Sequence, residues 1–114
     1  QPEVVKTTDL IVVGLGPAEK EELECYCVSA LREKFNIPIY GDADTHYPNV
    51  TFMEAQPGDV IIMRYGDARH VAALLDKLNG IAIWERIKTD GKCLERVRVL
   101  DYSDPHIVGY YHQS

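Results

Sequence analysis

The chain of 114 residues contains no apolar run near the ~18 residues that a bilayer-crossing helix needs, and Leu10 to Val13 is too short for the apolar region of a signal peptide. Membrane insertion is therefore not expected. Basic residues are the minority, 12 against 18 acidic ones, for a formal charge of −6. Such a field repels phosphate backbones and anionic lipid, so nucleic acid is not an expected partner. Cysteine is scarce: a Cys25-x-Cys27 pair and a lone Cys93 make an odd total of three. That spacing fits neither a disulfide framework nor the Cys-x-x-Cys of a zinc site, and it leaves at least one thiol free. Repeats, low-complexity tracts and charge blocks are missing too, so nothing divides the chain. What remains is a composition of 46% apolar residues, enough at this length for one buried core without metal or disulfide.

Residues 1–16 read as a lead-in, with a short strand or extended stretch at Asp9 to Val13 closed by Gly14-Leu15-Gly16-Pro17, and residues 17–114 as a single domain. From Ala18 to about Phe35 the spacing predicts a helix. Leu23, Cys27, Ala30, Leu31 and Lys34 recur at three and four residues on one face, so Cys27 points inward. Asn36 to Gln56 is a long irregular segment, of the kind that carries function more often than mere connection. After Pro57-Gly58-Asp59 the period changes to that of strands: Val60 to Tyr65, His70 to Leu75, Ile81 to Ile87, Leu94 to Leu100 and Ile107 to Tyr111. Gly66-Asp67, Asn79-Gly80, Asp90-Gly91 and Ser103-Asp104-Pro105 separate them as turns. One helix packed on an antiparallel sheet of about five to six strands is an α+β fold.

Alternation along the second of these strands puts His70 on an apolar face with Ala72 and Leu74, and along the third it sets Glu85 among Ile81, Ile83 and Ile87. A buried imidazole and a buried carboxylate each need a partner, and these two can serve one another. An inward thiol on the helix completes the set that nucleophilic catalysis uses. The imidazole takes the thiol proton, and the acid holds the ring in its working tautomer.

The segments Cys27-Val28-Ser29-Ala30-Leu31-Arg32, Ile37-Pro38-Ile39-Tyr40-Gly41-Asp42-Ala43-Asp44-Thr45, Pro57-Gly58-Asp59-Val60-Ile61 and His70-Val71-Ala72 follow one another in an order that resembles the CHAP family. These are papain-like cysteine, histidine-dependent amidohydrolases and peptidases of phage lysins and bacterial cell-wall enzymes. The resemblance implies a papain-like fold, with Cys27 as nucleophile, His70 as base and Glu85 as the third member. It implies cleavage of peptidoglycan amide bonds, as amidase or endopeptidase, through a Cys27 acyl-enzyme and without a cofactor. It also implies work in the periplasm, the cell wall or a phage particle, with attachment to a larger phage or wall-targeting protein. A deamidase or acyltransferase of the wider papain-like class, or a non-catalytic module keeping the fold, are the competing readings. Ile87 stands where many members have asparagine, Ala30 where an aromatic residue is common, and His46-Tyr47 where tryptophan often follows. Tyr26, His46, Tyr47 and Tyr65 are the candidate cleft residues.

Two conditions follow for a site built this way. A helix running unbroken from Ala18 would put Cys27 mid-helix behind Glu21, Glu22 and Glu24, which oppose a thiolate, so a break with a new helix starting near Cys25 is expected. A tight Asn79-Gly80 turn would pair Leu78 with Ile81 and hence Glu85 with Leu74, ~13 Å from His70. The connection from Asp76 to Gly80 must be wider or bulged if Glu85 is to reach the ring.

Other signals carry less. Ile11-Val12-Val13-Gly14-Leu15-Gly16-Pro17-Ala18 imitates a dinucleotide-binding turn, but Glu19 occupies the third small position and hairpins follow instead of βαβ units. Asp42, Asp44 and His46 alternate as calcium ligands can, yet loop aspartates more often cap the backbone, and no metal is expected. Cys25 and Cys93 read as structural thiols, His106 and His112 as surface residues, and Trp84 as packing opposite in face to Glu85.

Overall fold

The computed structural model describes residues 11–14, 26–41, 43–89 and 92–113. A short strand β1 (Ile11–Gly14) precedes helix α1 (Cys27–Phe35), a 3-10 turn (Ala43–Thr45) and five strands: β2 (Val60–Tyr65), β3 (Ala68–Asp76), β4 (Ile81–Thr89), β5 (Lys92–Leu100) and β6 (Ile107–Tyr111). The strands form one antiparallel sheet in the order β1-β5-β4-β3-β2-β6. The fold is α+β. The stretch Ile11–Gly14 is thus an antiparallel edge strand paired with β5, unlike the first strand of a dinucleotide-binding unit. No described helix is long and apolar enough to cross a membrane.

Both faces of the sheet are covered, which explains the uninterrupted Val60-Ile61-Ile62-Met63 run of β2. On one face Val28, Ala30 and Leu31 of α1, with Ile37 and Ile39 behind it, pack on Val60, Ile62, Val71, Ala73 and Trp84. On the other face Ala55, Val50 and Phe52 from the long loop cover Ile61, Met63, Ala72, Leu74 and Ile83. Trp84 meets the ring of Phe35 edge to face at 5.2 Å, so it packs under the helix, away from the Glu85 face as expected. Arg86 Nη1 and Glu33 Oε1, 3.0 Å apart, tie α1 to β4.

Helix α1 begins at Cys27. Tyr26 before it is extended (φ −124, ψ 140), so the helix does not run back through it and starts two residues after the start expected near Cys25. The helical pattern read from Ala18 to Glu24 lies outside the described residues, as does Cys25. The helix stops where Asn36 turns left-handed (φ 57) and its N–H and that of Ile37 close on the carbonyls of Arg32 and Leu31. Pro38 then prevents continuation.

The β3–β4 connection is both wider and bulged. Asp76 pairs with Ala82, Leu74 with Ile83 and Ala73 with Trp84, leaving Leu75 as an extra residue on β3. The wider turn and the bulge each shift the register by one, which carries Glu85 past Leu74 toward the His70 end of β3, just beyond the last pair Ala73↔Trp84. Gly80 makes the wider turn possible: its φ is +95, and a Cβ there would lie 2.6 Å from Val99 Cγ1 and 3.0 Å from Leu100 O. Gly80→Ala is expected to lower stability by about 1–3 kcal/mol, read as a lower midpoint in urea at unchanged slope. An unchanged midpoint would show that the turn relaxes without this geometry.

Candidate active site

The β3–β4 ladder ends at Ala73↔Trp84, whereas β3 stays with β2 back to Ala68 and β4 stays with β5 out to Thr89. The sheet opens along this seam. The first residue of α1 meets the opening, where the Cys27 thiol faces His70 and the backbone N–H of Val71, both of which favour its anion. His70 Nε2 lies 2.7 Å from Glu85 Oε1, which leaves Nδ1 for the sulfur. Cys27, His70 and Glu85 therefore form one chain of contacts from the helix across the two strands. Cys27 is half-buried, the His70 side chain is 16% exposed and Glu85 is fully buried.

Starting a helix at the nucleophile has an electrostatic consequence. Cys27 has no preceding helical carbonyl for its own N–H, and no acidic side chain lies in the helix's first turn, so the positive end of the dipole favours an anion at this position. Burial pushes the thiol up; the hydrogen bond and charge of His70, then the N–H groups of Val71 and Val28, outweigh it and bring Cys27 below its ordinary value. Burial likewise disfavours the His70 cation, but hydrogen bonds to Cys27 and Glu85 and the charges of both push it up to about 9. Burial opposes the Glu85 carboxylate, and His70, Arg98 and Arg96 overcome it, holding Glu85 at about 2. All three shifts favour the ion-paired form, a thiolate beside an imidazolium beside a carboxylate.

Glu85 has more partners than the imidazole. Its Oε2 lies 2.5 Å from Arg96 Nε and 2.8 Å from Arg98 Nε, the latter by charge since that N–H points out of line. Arg98 Nη2 reaches Oε1 at 3.3 Å and donates to Tyr65 Oη at 2.7 Å. These arginines escaped the sequence analysis, although the cross-strand pair Glu85↔Arg96 follows from a two-residue connection at Asp90-Gly91.

Two grooves flank the pair. One, about 350 Å³, is lined by Tyr26, Cys27, Arg32, Tyr40 and Gly41 among others; the second, about 400 Å³, by Tyr65, Arg69, His70, Ile87, Arg96 and Arg98 among others. Of the candidate cleft residues, Tyr26 lines the first and Tyr65 the second. Tyr47 is exposed and lies outside both linings, with the Arg69 guanidinium 5.3 Å from its ring centre. His46 lines neither: it is buried, its ring edge-on to Tyr111 at 5.5 Å and its Nδ1 3.3 Å from Thr45 Oγ1. Packing against β6, not the cleft wall, is its place. His106 and His112 are surface residues as expected, each beside a carboxylate, Asp104 at 2.9 Å and Asp59 at 2.5 Å. The side chains of Asp42, Asp44 and Cys93 lie outside the described residues, and no cluster of three metal-ligating side chains occurs among the described ones. No family model matches the chain, and neither a curated protein nor a solved structure matches it.

Proposed function

We propose that this protein is a papain-like cysteine hydrolase that cleaves peptide amides of bacterial peptidoglycan, in the manner of the CHAP enzymes that its motifs resemble. The observation that carries the reading is the contact chain Cys27–His70–Glu85 at a helix start, between two open grooves. The choice of peptidoglycan rests on the resemblance from Cys27 through His70-Val71-Ala72.

In this reading the Cys27 thiolate adds to the scissile carbonyl carbon, and the oxyanion is met by the Cys27 N–H at the helix start. The C–N bond then breaks as His70 Nδ1 gives its proton to the departing amine. Water attacks the thioester, its proton goes to His70, and the acid leaves while the thiolate is restored. Glu85 keeps the ring oriented and its cation stabilised throughout. No step calls for a cofactor. Work on the wall places the chain in the periplasm, the wall or a phage particle, carried there by a larger targeting protein.

The test is incubation with purified sacculi, followed by mass spectrometry of released fragments and of new amino groups. New amino groups are expected, with a rate that falls on the alkaline side as His70 loses its proton at about 9. Intact sacculi alongside a rapidly alkylated Cys27 would transfer the chemistry to another amide substrate.

A further inference from the structure

We propose that the groove on the His70 side is a carboxylate-binding subsite, in which Arg69 and Arg96 hold an anionic leaving fragment beside the scissile amide. The inference rests on the hydrolase reading and adds a substrate class to it. Because the imidazolium delivers its proton to the departing amine, that fragment lies on the imidazole side of the sulfur. Among the described residues the groove there carries three guanidiniums, of Arg69, Arg96 and Arg98, against the single carboxylate of Glu85. Glu85 is already saturated, with His70 and Arg98 on Oε1 and Arg96 and Arg98 on Oε2.

The arginines are not saturated. Arg96 spends only Nε, and its two Nη groups have no partner among the described residues. Arg69 lies 5.3 Å from the Tyr47 ring centre, which uses the face of its guanidinium, and makes one long bond, Nη1 to His46 O at 3.4 Å, against 2.8 Å for the bond that ties Arg32. A planar fork with free donors matches a carboxylate in two-point contact. The chain as a whole carries −6, so this local excess of positive charge is not a share of general basicity. The cysteine-side groove differs. Its one guanidinium, Arg32, is tied to Ile39 O at 2.8 Å and lies 4.7 Å from the Tyr40 ring centre, leaving an aromatic lining. The substrate this fits has its acyl part against tyrosines and its amine part bearing a carboxylate within about one residue of the scissile nitrogen.

That carboxylate has two possible sources, a chain terminus or an acidic side chain. Fragment binding, followed by NMR at the arginine Nε–H groups, distinguishes them with glycylglycine, glycylglycinamide and Gly-Asp-amide. One or both carboxylate fragments are expected to bind roughly tenfold or more tightly than the neutral amide, with the preference fading in salt. Arg69→Gln should remove most of that preference, and Arg69→Lys should restore only part because the fork is lost. Equal binding of all three fragments, or a preference that survives Arg69→Gln and Arg96→Gln, would overturn the subsite. The alkylation rate of Cys27 by iodoacetamide is measured on the same samples. A sluggish thiol with carboxylate-selective binding sinks the hydrolase and leaves an anion site; a fast thiol without selectivity does the reverse.

Discussion

Cys27→Ala is expected to abolish the release of amino groups from sacculi, a fall of roughly 10⁴–10⁶ in rate for loss of a nucleophile. The folded state should persist. The sulfur sits half-buried at the mouth of the seam, outside the fully buried core formed by Leu31, Ile62, Val71 and Leu74. The alanine leaves the His70–Glu85 contact in place, so a change on the order of 1 kcal/mol is expected in urea. Activity surviving in a folded Cys27→Ala protein would assign the cleavage elsewhere.

The second large effect belongs to Glu85→Gln, and it acts on stability as much as on rate. The amide keeps the shape and removes the one carboxylate that, among the described residues, faces His70, Arg96 and Arg98. Breaking a buried ion network from one side leaves the other charges uncompensated, at about 3–5 kcal/mol. Linkage gives this a pH signature. The Glu85 carboxyl is held at about 2, below its ordinary 4.5, so it stabilises the fold above pH 4.5 and that contribution is lost as the pH falls toward about 2. His70, raised from 6.5 to about 9, contributes fully below pH 6.5 and ceases to do so as the pH rises through about 9. Glu85→Gln should flatten the acid loss and move the His70 titration down, with Cys27 still holding it partly up. Urea midpoints from pH 3 to 10 and the histidine NMR titration follow both. A variant as stable as the parent, with His70 still near 9, would contradict the role given to Glu85.

The strands were legible where β-branched runs meet turn residues. Val60–Tyr65 and Ile107–Tyr111 have the bounds that the sequence predicts, and the Gly66-Asp67 turn pairs Tyr65 with Ala68. That pairing carries β3 two residues ahead of His70, into Ala68 and Arg69, which show no strand preference of their own. Glu85 was legible as a buried acid, but its reach to His70 depended on the bulge at Leu75, and neither glycine nor asparagine marks that position. The arginines around Glu85 could have been read from the hairpin that pairs it with Arg96 and from the period-two step to Arg98. The question that exposes them is what neutralises a carboxylate among isoleucines once His70 serves the thiol. Helix periodicity, by contrast, says little about where a helix starts: the pattern from Ala18 is continuous, while Tyr26 is extended and Cys27 heads the helix.

The central claim is that His70 holds Cys27 as a thiolate. The rate of iodoacetamide modification at Cys27, located by peptide mass spectrometry across pH, tests it in the parent and in His70→Ala. The parent should titrate below the ordinary thiol value, and the variant should titrate above the parent, because burial still disfavours the anion once its partner is gone. Coincident profiles for the two proteins would contradict the account.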